Sequence, residues 1–186
     1  MKIGDTGKKM EPMPTELQHA VCAFVESIGI QKGSYGGKDI YREQIIICWE
    51  LAETMTQGDN AGKPFMISKF YTASLSKKSN LSKDLQAWLK KEFTQQERDE
   101  GFEMDTLIGT NCMLNIGEKV KPDGDVRYQV VSIAPKMKQL PNLDVHNKKC
   151  PEWINDMKKR AVPEDKVPKE GEEAVVDIHA DENLPF

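Results

Sequence analysis

The chain has 186 residues, enough for one ordinary domain with appendages. Charged residues make up 30%, the apolar set 38% and aromatics 7%, a polar balance that leaves part of the chain outside any core. No apolar run approaches the roughly 20 residues that span a bilayer, and "MKIGDTGKKMEPMPTE" puts no apolar stretch behind its lysines, so neither a membrane-spanning helix nor a secretory leader is expected.

Cys22, Cys48, Cys112 and Cys150 are far apart and form no CxxC pair. They read as reduced thiols of a cytoplasmic protein, three of them in core or strand positions. The formal charge of −4 hides a split. Residues 163–186 carry eight Asp/Glu against two Lys, a balance of −6, which leaves the body at 24 Lys/Arg against 22 Asp/Glu, or +2. Residues 63–91 hold seven lysines and one acid, Asp84. A basic patch beside an acidic tail points to an anionic partner for the body, although a lysine cluster also serves simply as a solvated face.

Residues 1–16 are polar and proline-containing and read as a flexible N-terminal arm. "LQHAVCAFVESIGIQKG" reads as a bent first strand with Gly29 as a bulge. "SYGGKD" is a turn whose glycines take positive φ cheaply. In the second strand, "IYREQIIICWEL", Ile45, Ile47 and Trp49 share one face and Gln44, Ile46 and Cys48 the other. "TQGDNAGK" is a polar loop before the third strand, "PFMISKFYTASL". Ser79 or Asn80 caps "LSKDLQAWLKKEF", in which Leu81, Leu85, Trp88 and Leu89 fall at helical spacing. Thr94 and Glu97 form a capping box for a second short helix. Strand character returns from Cys112 to Val120, "PDGD" turns, and "VRYQVVSIAP" is a fifth strand.

Three strands, a helical connection and two strands is the order of a five-stranded OB-fold barrel; an SH3-like barrel or a small α+β sheet has a compatible count. The expected organisation is a mainly β domain at 17–136, a basic extension at 137–162 with a short helix after Pro151, and a disordered acidic tail at 163–186.

Catalytic signatures are missing. "GDNAGKP" has three residues between Gly58 and Gly62 and a proline where a phosphate loop needs Ser/Thr. His146 and Cys150 have ligand spacing but no second pair for zinc. His19, His146 and His179 have no nucleophile and orienting acid around them. No enzyme activity, metal or cofactor is expected.

What stands out is lysine mixed with aromatic residues. Lys63, Lys69, Phe70, Tyr71, Lys77, Lys78 and Lys83 follow one another through strand three and its exit. Tyr35 and Lys38 flank the first turn, and Tyr41 and Arg42 open strand two. Cations tracking phosphates and rings stacking on bases are how single-stranded nucleic acid is held, each stack contributing roughly 1–3 kcal/mol. On an OB barrel that surface is made by strands two and three with the first and fourth loops. Trp49, Phe65 and Tyr71 share the parity of the aliphatic residues, which argues for core. Phe70 has the opposite parity and is the ring most expected to be exposed; Lys69 sits oddly on an apolar face, where a bulge would turn it outward.

"GKPFMISKFYTASLSKKSNLSKDLQAW", "GTNCMLNI", "GGK" and "WEL" resemble a group of small phage-encoded proteins of replication and recombination, read as OB-fold single-stranded-DNA-binding proteins; the similarity runs from Gln18 to Pro135. The terminus is similar to the acidic tip of bacterial single-stranded-DNA-binding proteins: Asp181 and Glu182 stand for the acids, Leu184 for an isoleucine, and Pro185 and Phe186 match directly. Asn183 replaces a third acid, and the tail is not rich in Gly and Gln. The resemblance implies a non-enzymatic protein that binds single-stranded DNA with little sequence specificity in the host cytoplasm. It also implies a tip that docks replication or recombination proteins, a partner pocket taking the Phe186 ring and its cations the carboxylates. Two alternatives remain: an adaptor whose barrel binds protein, and a metal-dependent nuclease or annealing enzyme whose carboxylates converge only in space.

Overall fold

The computed structural model describes residues 11–122 and 124–168. The tip residues Asp181, Glu182, Leu184, Pro185 and Phe186 lie outside the described residues. The chain folds as β1 (Glu16–Tyr35), β2 (Lys38–Thr54), β3 (Pro64–Thr72), α1 (Asn80–Leu89), α2 (Gln95–Glu100), β4 (Asn111–Val120), β5 (Val126–Pro135) and α3 (Glu152–Lys159). The strands form one antiparallel sheet in the order β3-β2-β1-β4-β5. As hydrogen-bonded, the sheet is open. Its edge strands β3 and β5 nevertheless come within 8 Å, Cα to Cα, and α1 packs against both.

Local chemistry sets most element ends. Gly36 and Gly37, at φ 59° and 80°, make the two-residue turn between the paired Tyr35 and Lys38. The Ser79 hydroxyl caps α1 by accepting from the Ser82 amide at 3.0 Å, and Thr94 with Glu97 completes the box at α2. β1 bends at register shifts between Cys22 and Phe24 and between Ser27 and Gly29. Gly29 has φ 70°, and a Cβ there would stand 2.8 Å from the Ala161 Cβ. Glycine is therefore required twice over, by the backbone and by the close passage of the C-terminal segment.

Parity divides β2. Ile45, Ile47, Trp49 and Leu51 enter the main core with Phe65, Ile67 and Tyr71 of β3 and with Leu81, Leu85 and Trp88 of α1. The opposite face is not solvated. Ile46 and Cys48 join Phe24, Ile28 and Ile154 in a second core roofed by residues 145–157. The basic extension thus forms a cover on the outer face of the sheet. Asn111 of β4 holds its start, accepting from the Leu143 amide at 2.7 Å and donating to the Leu143 carbonyl at 3.0 Å. Glu50, 1% exposed, accepts from the amides of His146 at 2.6 Å and Asn147 at 2.8 Å. The Val162 amide donates to the Ile30 carbonyl at 2.7 Å. Ile154 is fully buried, a contribution of about 1.5–3 kcal/mol, and hydrogen bonds at both ends set the path of the segment between.

Candidate nucleic-acid interface

The strand-three run of cations and rings is split by the pleat. Lys69 pairs with Ile47 in a ladder with no irregularity between Gln44–Thr72 and Glu50–Met66. No bulge turns it outward, contrary to the sequence expectation. Its ammonium meets Asp84 of α1 at 2.7 Å, and the Tyr71 hydroxyl donates to the same oxygen at 2.7 Å. Tyr71 is buried, and burial first, then the Asp84 charge, pushes its phenol well above the ordinary range. Both tie β3 to α1 through Asp84: Tyr71 is buried and the Lys69 ammonium is engaged by the carboxylate.

Phe70 does point outward but is not bare. Its ring meets Trp153 of α3 edge to face, centroids 6.5 Å apart and planes at 63°. Arg42 is also outward and is 8% exposed; Gln31, its cross-strand neighbour, donates to the Met157 carbonyl of α3 at 3.4 Å. The Arg42 Nε is buried with no hydrogen-bond partner among the described residues. A cation so placed is a costly arrangement unless an anion completes it.

The remaining candidates are accessible. Tyr35 is 60% exposed at the tip of the β1–β2 hairpin, with Lys38 exposed beside it. Tyr41 is half-buried with the Lys32 ammonium 6.0 Å from its ring centroid, while Lys32 is itself paired with Asp39 at 2.6 Å. Lys63 is exposed and donates to Asn60 at 3.0 Å. Lys77, Lys78 and Lys83, also exposed, surround the N-terminal turn of α1, which carries no acid.

A cleft of about 500 Å³ opens where the two sheet edges approach. Met66, Ile67 and Ser68 of β3 form one wall, and Lys121, Arg127 and Tyr128 of the β4–β5 hairpin form the other together with Val126 and Asp125, whose carboxylate lies 3.8 Å from the Lys121 ammonium; Met13 also lines the cleft. Sequence reasoning missed Lys121, Arg127 and Tyr128, although "KVKPDGDVRY" has the same cation-beside-ring texture that singled out strand three. It also missed Trp153, set between Lys148–Lys149 and Lys158–Arg160. A second cleft of about 490 Å³ is lined by Ser74, Lys77, Gln95 and Arg98.

Among the described residues, no group of three or more His, Cys, Asp or Glu is placed to hold a metal ion, and no helix is long and apolar enough to cross a membrane. Burial pushes the Cys48 thiol up to about 12 and raises those of Cys22, Cys112 and Cys150, which disfavours the reactive thiolate. No protein-family model matches the chain, and no curated protein is significantly similar to it.

Proposed function

We propose that this protein binds single-stranded DNA with little sequence dependence, as a phage-type replication and recombination protein, and recruits partner proteins through its acidic C-terminal tip. The observation that carries the reading is the cleft between β3 and the β4–β5 hairpin, with two cations, Lys121 and Arg127, and the Tyr128 ring on its wall beside one acid, Asp125. The exposed Tyr35 and Lys38 of the other hairpin extend the cationic and aromatic surface, and Lys77, Lys78 and Lys83 supply further cations. The strand order, the α1–α2 connection between β3 and β4, and the approach of β3 to β5 support an OB barrel, whose ligand face lies across those strands and loops.

Binding of this kind is dominated by phosphate neutralisation, so the logarithm of affinity falls with the logarithm of salt at a slope of about −0.7 per phosphate contact on a single strand. The test is a fluorescence-anisotropy titration of labelled oligo-dT and matched duplex across a salt series. The expected result is tight, steeply salt-dependent binding to oligo-dT and weak binding to duplex. No binding at low salt, or equal affinity for duplex, sinks the reading. The tail, with its balance of −6, is a tethered competing anion. Removing 163–186 is expected to raise affinity most at low salt, whereas deleting Phe186 alone leaves DNA affinity unchanged and abolishes partner capture.

A further inference from the structure

Trp49 and Trp88 are 0% and 3% exposed, as core tryptophans are, whereas Trp153 is 43% exposed. Its helix explains the position. Successive residues of an α-helix are turned by about 100°, so burying Ile154 fully against the sheet and packing Met157 beside it leaves Trp153 on the flank of α3, over the margin of β3. There it meets Phe70 edge to face. A contact of that geometry leaves at least one aromatic face uncovered by the pair.

The surroundings are cationic. Lys148 and Lys149 precede α3 and Arg160 follows it, all exposed and none in an ion pair among the described residues, although the Arg160 charge reaches Asp156; the nearby acids are paired, Glu26 with Lys158 and both Glu152 and Asp156 with Lys159. Arg42 lies four residues from Ile46, the cross-strand partner of Phe70, about 13 Å along β2. Its buried Nε also has no hydrogen-bond partner among the described residues. A half-exposed indole beside exposed lysines and Arg160 fits a ligand with flat faces and regular negative charge.

We propose that Trp153 is a base-stacking residue, with Phe70 holding the indole on edge so that a base of the single strand lies on its face. This rests on the single-strand reading above and extends the strand's path from the β3 cleft onto the outer face beside α3. The neighbouring phosphates run past Lys148, Lys149 and Arg160.

The full-length protein is titrated with oligo-dT and with an equally long oligonucleotide carrying a central abasic run, following anisotropy of a label and intrinsic tryptophan emission together. The expected result is quenching of emission by oligo-dT and weaker binding of the abasic strand. Trp153→Ala should lose roughly five-fold or more in affinity for oligo-dT, with no further loss on the abasic strand. Trp153→Phe should retain most of the affinity and lose the quench, since Trp49 and Trp88 are buried. If oligo-dT binds by anisotropy while wild-type emission stays constant, or if Trp153→Ala binds as tightly as wild type, Trp153 is only a cover for Phe70 and the proposal falls while the DNA reading stands. If the wild type binds neither strand, both fall. The emission measurement needs no variant, so a misfolded substitution does not protect the idea.

Discussion

Lys69 and Asp84 form the ion pair that joins β3 to α1, Nζ to Oδ2 at 2.7 Å, with side chains only 25% and 19% exposed. The same carboxylate oxygen accepts the Tyr71 hydroxyl. Lys69 therefore belongs to the packing of the helix and not to the ligand surface. Lys69→Ala is expected to cost about 1–3 kcal/mol in denaturant unfolding and to leave oligo-dT affinity within about two-fold. Asp84→Ala, which strands both partners, should cost more. A large loss of DNA affinity in a fully folded Lys69→Ala protein would contradict this assignment.

The loop lysines should behave in the opposite way. Lys77 and Lys78 are exposed and have no ion-pair partner among the described residues. The double variant Lys77→Ala/Lys78→Ala is expected to keep its melting temperature and to weaken binding evenly across oligonucleotide sequences. Its salt slope should shallow by about 1.4, the contribution of two phosphate contacts on a single strand. Anisotropy titrations at several salt concentrations read both quantities.

Glu50 decides whether the C-terminal cover stays on the sheet. Its buried carboxylate serves the His146 and Asn147 amides. Glu50→Ala leaves those donors without an acceptor, at about 1–3 kcal/mol for each that remains buried. Amide hydrogen exchange at His146 and Asn147 should accelerate, and limited proteolysis should cut within 137–162 before the strands are touched. Unchanged protection at those two amides would show that the apolar contacts of Ile154 hold the cover unaided.

His19 gives the stability a pH dependence. Its Nε2 lies 3.0 Å from Asn111 Oδ1, so the neutral ring donates there. Burial is the largest influence and holds its pKa below the ordinary 6.5; the Asn111 hydrogen bond raises it and the Lys136 charge lowers it. A folded pKa below the unfolded one means that the unfolded chain binds the proton more readily. The contribution is complete above pH 6.5 and is lost as the pH falls through the folded value. The melting temperature should drop between pH 7.5 and 5.5, and His19→Gln should drop less over the same window.

The secondary structure was largely legible. Alternation in β2 put Ile45, Ile47 and Trp49 on one face, and they are in the main core. Serine and threonine ahead of helical spacing marked both helix starts, and Gly-Gly marked the hairpin. The candidate site was less legible. Exposed Tyr35, Lys38, Lys77, Lys78 and Lys83 could be read from turn and loop chemistry. Parity placed Tyr71 in the core, where it is, and Phe70 on the opposite face; it could not show that the Trp153 ring meets Phe70 or that Arg42 is buried, because those depend on segments outside their own strands.

What the sequence determined by itself is what nearest neighbours decide: where strands and helices start and stop, which residues share a face, and how charge divides between body and tail. Those follow from backbone sterics, capping and periodicity within a few residues. Only the tertiary structure decided that the outer face of β2 is covered, that Lys69 turns inward to an acid fifteen residues away, and that the cations of the β4–β5 hairpin face β3 across a cleft. Each rests on contacts between segments distant along the chain, where a favourable pairing leaves no mark on the local pattern. Glu50 shows this most plainly: in sequence it is one more acid at the end of a strand, and in the fold its buried carboxylate fixes the path of a segment almost one hundred residues later.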